Sequence, residues 1–419
     1  MNFPLLRLPL GLNLLLLAGL LSSPSFAHAQ EQEETKGMPA EPADAQDVRD
    51  QIFLVQQMLP TLPDRGGALY FLAAAKQHVR ETREALALLK ECVALRVGFD
   101  PSGGPDFYGW KGTKEFDAIV ERVHGDFPAV AQAREAFRTS EKDLIPEGLA
   151  YDAKQNLFYL SSLNRRKIVK IAANGDVSDF VPANRDSLLP VLGIRLDPND
   201  GSVWANSFED NGRTELLHFD ASGKLLGRFK PDETEKHGFN DLVVRKNGEV
   251  LTTDSLANAV LRFDPATHEF ANLMIHRPLV YPNGIALAGD DRMLYVADAL
   301  GVIGVDLASG QSRDVDPGAH STLAGVDGLY WHNSSLIAIQ NGIGSPRVAA
   351  FRLSNDGFRV TRTTILEYRT SFTVLPTTGA IRGSEFYFIA NSQIDNMNND
   401  KVMDVTKLEV VRIGVVHLP

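Results

Sequence analysis

The stretch that decides the fold is Tyr281–Asp298, YPNGIALAGDDRMLYVAD. A short loop, Tyr281-Pro282-Asn283-Gly284, leads into an apolar run from Ile285 to Ala288. A polar turn at Asp290-Asp291 and a second apolar run, Met293 to Ala297, follow. Pro, Gly and Asp punctuate the two runs, which predicts two buried strands joined by a turn. The pattern recurs. Glu147-Gly148-Leu149-Ala150-Tyr151 precedes Leu157-Phe158-Tyr159-Leu160, Gly193-Ile194-Arg195-Leu196 precedes Ser202-Val203-Trp204-Ala205, and Asn240-Asp241-Leu242-Val243-Val244 precedes Glu249-Val250-Leu251-Thr252. Further on, Asp327-Gly328-Leu329-Tyr330 precedes Leu336-Ile337-Ala338-Ile339, and Gly379-Ala380-Ile381 precedes Phe386-Tyr387-Phe388-Ile389.

Gly148, Gly193, Gly284, Gly328 and Gly379, with Asp241 in the third slot, stand about 45 residues apart. A period of roughly 40–50 residues with several strands per unit is the signature of a β-propeller. Six units fill residues 136–419, so the expected fold is an all-β six-bladed β-propeller. Four units place an oxygen-bearing side chain at the equivalent point: Glu147, Asn240, Asn283 and Asp327. Equivalent positions at the start of each inner strand converge on the propeller axis, so these four would face one point.

Two carboxylates and two amide oxygens are hard donors. They suit Ca²⁺, with Mg²⁺, Mn²⁺ or Zn²⁺ as alternatives, and the carboxylates balance the charge of a divalent cation. Without a cation, two carboxylates on one axis repel, and one tends to hold its proton. The competing reading is that Asn-Gly and Asp-Gly are turn residues tolerant of positive φ. The coincidence of four positions in register favours the metal site.

The rest of the 419-residue chain is bounded by composition. Its 44% hydrophobic and 23% charged residues are ordinary for a globular protein with a sizeable core. The formal net charge is −11 and no Arg-rich run is present, which argues against a nucleic-acid partner. At the N-terminus, Arg7, the apolar run from Leu8 to Leu21 and Ala27-His28-Ala29 read as an export signal, residues 1–29, cleaved before Gln30. The run is short for a spanning helix, so the expected product is periplasmic or secreted, with no membrane span after cleavage. The single cysteine, Cys92, permits no intrachain disulfide and reads as a small core residue. Residues 30–44 are acidic, contain proline and lack periodicity, and read as a disordered linker.

Residues 45–128 read as helical. Val48, Ile52, Val55, Met58 and Leu59 share one helical face. Two helices, Ala68 to Val79 and Thr82 to Leu95, meet at Arg80-Glu81. Small and large residues interleave at Leu72, Ala73, Ala85, Leu89 and Cys92, so the pair can approach closely. The hairpin resembles a tetratricopeptide unit. The Asp106-Phe107 loop and a helix from Glu115 to Val123 read as its tail. One unit does not make a solenoid, so this small domain is expected to cap the propeller or to dock a protein partner. Ala136 to Ser140 is expected to supply the outer strand of the last blade, beside Leu408 to Val416.

Pro146-Glu147-Gly148, Phe239-Asn240-Asp241, Pro282-Asn283-Gly284 and Val326-Asp327-Gly328 give residues 136–419 a resemblance to the family of regucalcin, gluconolactonases and diisopropyl fluorophosphatase. The resemblance implies a six-bladed propeller that hydrolyses lactones or phosphotriesters. It also implies that Glu147, Asn240, Asn283 and Asp327 hold a divalent cation, mostly Ca²⁺, at the active-site floor. Two departures qualify it. Gly238 stands where gluconolactonases carry a sugar-gripping arginine, and Leu192 stands where the related paraoxonases carry a histidine. Asp254 and Asn258 lie in the region of a further family glutamate without a clear match.

If the site is catalytic, a cation would polarise a lactone or ester carbonyl, and Asp327 would be general base or nucleophile, with Glu147 beside it. His237 and His320, in loops before Asn240 and Asp327, are candidate proton shuttles. Arg165 or Arg195 could recognise an anionic substrate. The expected activity is that of an exported metal-dependent hydrolase of small lactones or related esters. The alternative is a non-catalytic ligand-binding or scaffold propeller with a helical protein-interaction segment.

Overall fold

The computed structural model describes residues 42, 44–172, 175–209, 211–232, 234–396 and 405–419. The expected export signal and nearly all of the expected linker lie outside them.

Four helices come first: α1 (Ala45–Met58), α2 (Arg65–His78), α3 (Thr82–Ala94) and α4 (Lys114–Asp126). Two short strands follow, β1 (Val130–Ala131) and β2 (Arg134–Arg138). The chain then runs through six antiparallel sheets, each with its first strand innermost. Blade one holds β3 (Leu149–Asp152), β4 (Leu157–Ser162), β5 (Lys167–Ala172) and β6 (Val177–Val181). Blade two holds β7 (Val191–Leu196), β8 (Val203–Phe208), β9 (Thr214–Phe219) and β10 (Leu225–Phe229). Blade three holds β11 (Phe239–Val244), β12 (Val250–Asp254), β13 (Ala259–Asp264) and β14 (Glu269–Asn272). Blade four holds β15 (Ile285–Leu287), β16 (Met293–Asp298), β17 (Gly301–Asp306) and β18 (Ser312–Asp314). Blade five holds β19 (Val326–His332), β20 (Ser335–Gln340), β21 (Arg347–Leu353) and β22 (Val360–Tyr368), to which β1 adds a fifth strand. Blade six holds β23 (Gly379–Arg382), β24 (Glu385–Ile389) and β25 (Arg412–His417), and β2 forms its outer edge. The six-bladed β-propeller is therefore present, and residues 134–138 and 412–417 share one blade.

The core is a ring of clusters between neighbouring blades. Ala286, Tyr295, Leu329 and Phe351 pack between blades four and five, for example. The recurring glycines explain how the inner strands fit around the axis. None of Gly148, Gly193, Gly284, Gly328 and Gly379 has positive φ, so the turn explanation does not hold for them. Each of the first four instead lies against backbone of the next inner strand. A Cβ on Gly148 would sit 2.2 Å from Leu192 O, one on Gly193 2.6 Å from Asn240 O, and one on Gly284 2.4 Å from Asp327 O. The missing side chain lets adjacent blades close on the axis.

The helices cover one end of the propeller. α2 and α3 form the expected antiparallel hairpin, with Ala73, Leu89 and Cys92 buried together. The layer does not stack on further repeats. It buries apolar residues against Ala324 and Ile343 of blade five and against Val280, Ala299 and Leu300 of blade four. Gly67 on α2 makes this approach possible, because a Cβ there would meet Ala324 Cβ at 2.4 Å. Among the described residues, no helix is long and apolar enough to cross a membrane.

Candidate functional site

Bulges at the start of the inner strands set the site. In blade three, Phe239 pairs with Asp254 and Leu242 with Thr252, so Asn240 and Asp241 together oppose Thr253 alone. In blade five, Val326 pairs with Gln340 and Leu329 with Ala338, so Asp327 and Gly328 share one partner position. A bulge turns a side chain out of the regular alternation, and here it falls at the residue expected to face the axis.

Glu147 and Asp327 are 4% and 5% exposed, yet both line the same cavity. Ser392 Oγ donates to Glu147 Oε1 at 2.8 Å. Asn283 Nδ2 donates to Asp327 Oδ1 at 3.0 Å, and Asn341 Nδ2 donates to Oδ2 at 2.5 Å. Asn240 is buried beside this group and does not line the cavity. Its Nδ2 donates to Ser255 Oγ at 3.1 Å, and Ser255 in turn donates to Pro282 O at 2.7 Å, next to Asn283.

Burial raises the Glu147 carboxyl well above the usual carboxylate range, and the charge of Asp327 raises it further against the Ser392 hydroxyl. Burial likewise pushes Asp327 up to about 7, although the Asn341 and Asn283 amides pull it down. The cause is the one read from sequence: two carboxylates removed from water and held near one another. Among the described residues, no group of three or more His, Cys, Asp or Glu could hold a metal ion. A cation here would thus rest on the two amides as well as the two carboxylates. The donor set fits that role, since turning the Asn283 amide over presents its oxygen where its nitrogen now lies.

The other expected participants are elsewhere. His237 Nδ1 lies 2.5 Å from Asp254 Oδ2 and its Nε2 lies 3.0 Å from Asp232 O. Burial lowers its pKa, but the Asp254 carboxylate outweighs this and the net shift is upward. The ring is an ion-pair clamp, and it does not line the cavity. His320 Nδ1 lies 3.1 Å from Leu95 O at the end of α3, where it ties the helical layer to blade five. Arg165 is exposed and paired with Asp143 at 2.9 Å. Arg195 is held inside the tunnel, with Nη2 2.7 Å from Asp241 Oδ2 and its guanidinium 5.2 Å from the Tyr330 ring centroid. Neither arginine lines the cavity, which corrects the expectation of an anion-binding arginine.

The cavity itself encloses about 310 Å³, at the small end of ligand pockets. Its floor carries Glu147, Asp327 and Asn341, while Asn283 and Asn240 do not line it. Its roof is the helical layer: Tyr70 and Phe71 from α2, and Phe99, Asp106 and Tyr108 from the loops that follow. Sequence reading did not assign these residues to the site. The one signal was Pro105–Trp110, PDFYGW, an aromatic segment outside the helical periodicity.

No family model matches the chain, and no curated protein matches it in sequence. Among solved structures, it resembles a gluconolactonase from Xanthomonas campestris, at 17% identity over 70% of this chain and 91% of the other, with a TM-score of 0.48. It also resembles virginiamycin B lyase from Staphylococcus aureus, at 14% identity over 68% of this chain and 99% of the other, with a TM-score of 0.46. A luciferin-regenerating enzyme resembles it at 14% identity over 67% and 95%, with a TM-score of 0.47. The class defined is a six-bladed propeller with a helical roof, and its chemistry must be argued from its own residues.

Proposed function

We propose that the protein is a metal-dependent hydrolase of lactones or related esters, with Ca²⁺ the cation that best suits its donors. The observation that carries this reading is a pair of buried carboxylates, Glu147 and Asp327, lining one cavity at the propeller axis. Glu147, Asn240, Asn283 and Asp327 would hold the cation. When bound, it would supply Lewis-acid polarisation of the substrate carbonyl. Asp327, fixed by Asn341, is the group placed to take a proton from attacking water. Water oxygen forms the new bond to the acyl carbon, the ester C–O bond breaks, and the proton leaves with the alcohol. Ser392 keeps Glu147 in place, and the helical roof limits access of bulk water.

Export to the periplasm or outside the cell is part of the same proposal and rests on the Arg7 to Ala29 segment. A non-catalytic ligand-binding propeller is the second reading. It is favoured by the absence of His237 and His320 from the cavity wall, which leaves Asp327 without a second proton carrier.

The test is metal analysis of the purified chain, thermal melting with and without chelator, and a lactone and ester screen. About one Ca²⁺ per chain, a lower melting temperature on chelation and calcium-dependent turnover support the hydrolase. Bound calcium without turnover on any substrate supports the binding propeller.

A further inference from the structure

The charge of the cavity wall is one-sided. Among the described residues, Glu147, Asp327, Asp106 and Asp395 line it, and no lysine, arginine or histidine does. Among the described residues, Asp106 and Asp395 have no ion-pair partner. The nearest imidazole to act on Asp106 is that of His78, and this ring is taken by Asp44 at 2.9 Å. Gln51 on α1 also borders the cavity. It is 7% exposed, and its side-chain oxygen has no hydrogen-bond partner. The roof therefore places the Asp106 carboxyl at the cavity with no cationic side chain among the described lining residues. Around them stand aromatic faces, Tyr70 stacked on Phe99 at 4.5 Å, with Phe71 nearby. Tyr108 and Val374 are exposed where they border the cavity, so an apolar molecule meets an apolar rim. The outer rim already shows the corresponding contact: Lys111 Nζ lies 3.7 Å from the Tyr108 ring centroid.

We infer that the cavity takes an apolar, aromatic-sized molecule carrying an ammonium group, with Asp106 of the helical layer as the residue that receives the charge. This deepens the hydrolase reading by naming its substrate class, amine-bearing esters or lactones, in place of sugar lactones and anionic esters. Chemistry supports the assignment. Burial raises the Asp106 carboxyl to about 6 even against the pull of the His78 imidazole, and a ligand ammonium beside it would favour its ionised form. Without the cation, an anionic ligand would meet only like charge among the described residues, and a sugar would leave most of its hydroxyls against aromatic rings.

The test uses three probes of one shape on the full chain: 3-phenylpropylamine, 3-phenylpropan-1-ol and 3-phenylpropanoate. Binding is measured by calorimetry with calcium and again with chelator. The amine is expected to bind at least tenfold more tightly than the alcohol, and the carboxylate more weakly than either in chelator. Asp106→Asn, checked for an unchanged melting curve, is expected to abolish the advantage of the amine and leave the alcohol unaffected. Equal binding of amine and alcohol, or an amine preference that survives Asp106→Asn, overturns the inference. Turnover is read separately, with phenylalanine methyl ester against methyl 3-phenylpropanoate. Amine-selective binding without ester cleavage keeps the ammonium site and removes the hydrolase. Cleavage of both esters at equal rates keeps the hydrolase and removes the ammonium site.

Discussion

Asp64 Oδ2 lies 2.6 Å from the backbone nitrogen of Leu323, 259 residues further along the chain. The same oxygen accepts from Thr322 Oγ1 at 2.8 Å, and Oδ1 accepts from Gly67 N at 2.9 Å as the N-cap of α2. One carboxylate therefore starts the helix and fastens it to blade five. Asp64→Ala should lower stability by about 3 kcal/mol, combining a lost cap with an unpaired buried N–H. Gly67→Val should cost about 1–3 kcal/mol by forcing α2 off Ala324. Urea unfolding gives the magnitude, and faster proteolysis within residues 45–126 would show that the helical layer loosens first.

The pH dependence of the metal-free protein follows from the raised carboxyls. Asp64 rises to about 6 through burial, against its three donors, and Asp327 to about 7. A carboxyl raised on folding stabilises the native state fully below its unfolded pKa, and the contribution disappears as pH climbs through the folded pKa. In chelator, the melting temperature should therefore fall between about pH 4 and pH 7. Calcium should cancel the part due to Glu147 and Asp327 and leave the part due to Asp64. A melting series with and without calcium, repeated on Asp64→Asn, separates the two.

Asp327→Asn should reduce kcat/KM by roughly 10²–10⁴, the range of a lost general base, while calcium remains detectable at weaker affinity. Asn341→Ala removes a donor that holds the Asp327 charge. It should shift the acidic limb of the pH–rate profile to higher pH, a change that a purely structural Asn341 would not produce.

Substitution of the histidines should separate stability from chemistry. His320→Ala and His237→Asn should each leave kcat within about threefold, against the hundredfold or more expected of a proton shuttle. His237→Asn should lower the melting temperature, because Asp254 loses its imidazole partner while it still holds Gly238 N at 2.8 Å. A hundredfold drop in kcat with unchanged melting would return His237 to the reaction.

Removal of residues 410–419 takes away β25, which pairs with β24 on one side and β2 on the other. The truncated chain should be insoluble or lack cooperative melting by circular dichroism, as an opened ring exposes two unpaired strand edges.

The blades were legible because their period is carried by residues that cannot vary freely. Gly148, Gly193, Gly284 and Gly328 each face the backbone of the next blade, a reason that the competing turn reading of Asn-Gly and Asp-Gly did not contain. That Glu147 and Asp327 line one cavity was legible by register alone. What sequence hid was pairing at a distance. Arg195 is free to meet a substrate until the fold brings Asp241 to it, and His237 until Asp254 does. The roof was hidden for a related reason. Gly66, Gly67 and Ala68 read equally well as a helix–helix contact or as a helix laid on a propeller. Nothing local says that Asp106 and Tyr108 lie over Glu147.

The sharing of blade six between β2 and β25 also constrains the order of events in biosynthesis. The helical layer leaves the ribosome first, but the loops on which it rests belong to blades four and five, and the ring shuts only when residues 412–417 arrive. Until then the ring has no closed state to fall into. A polypeptide must be in this condition if it is to be threaded, unfolded, through a narrow translocation channel.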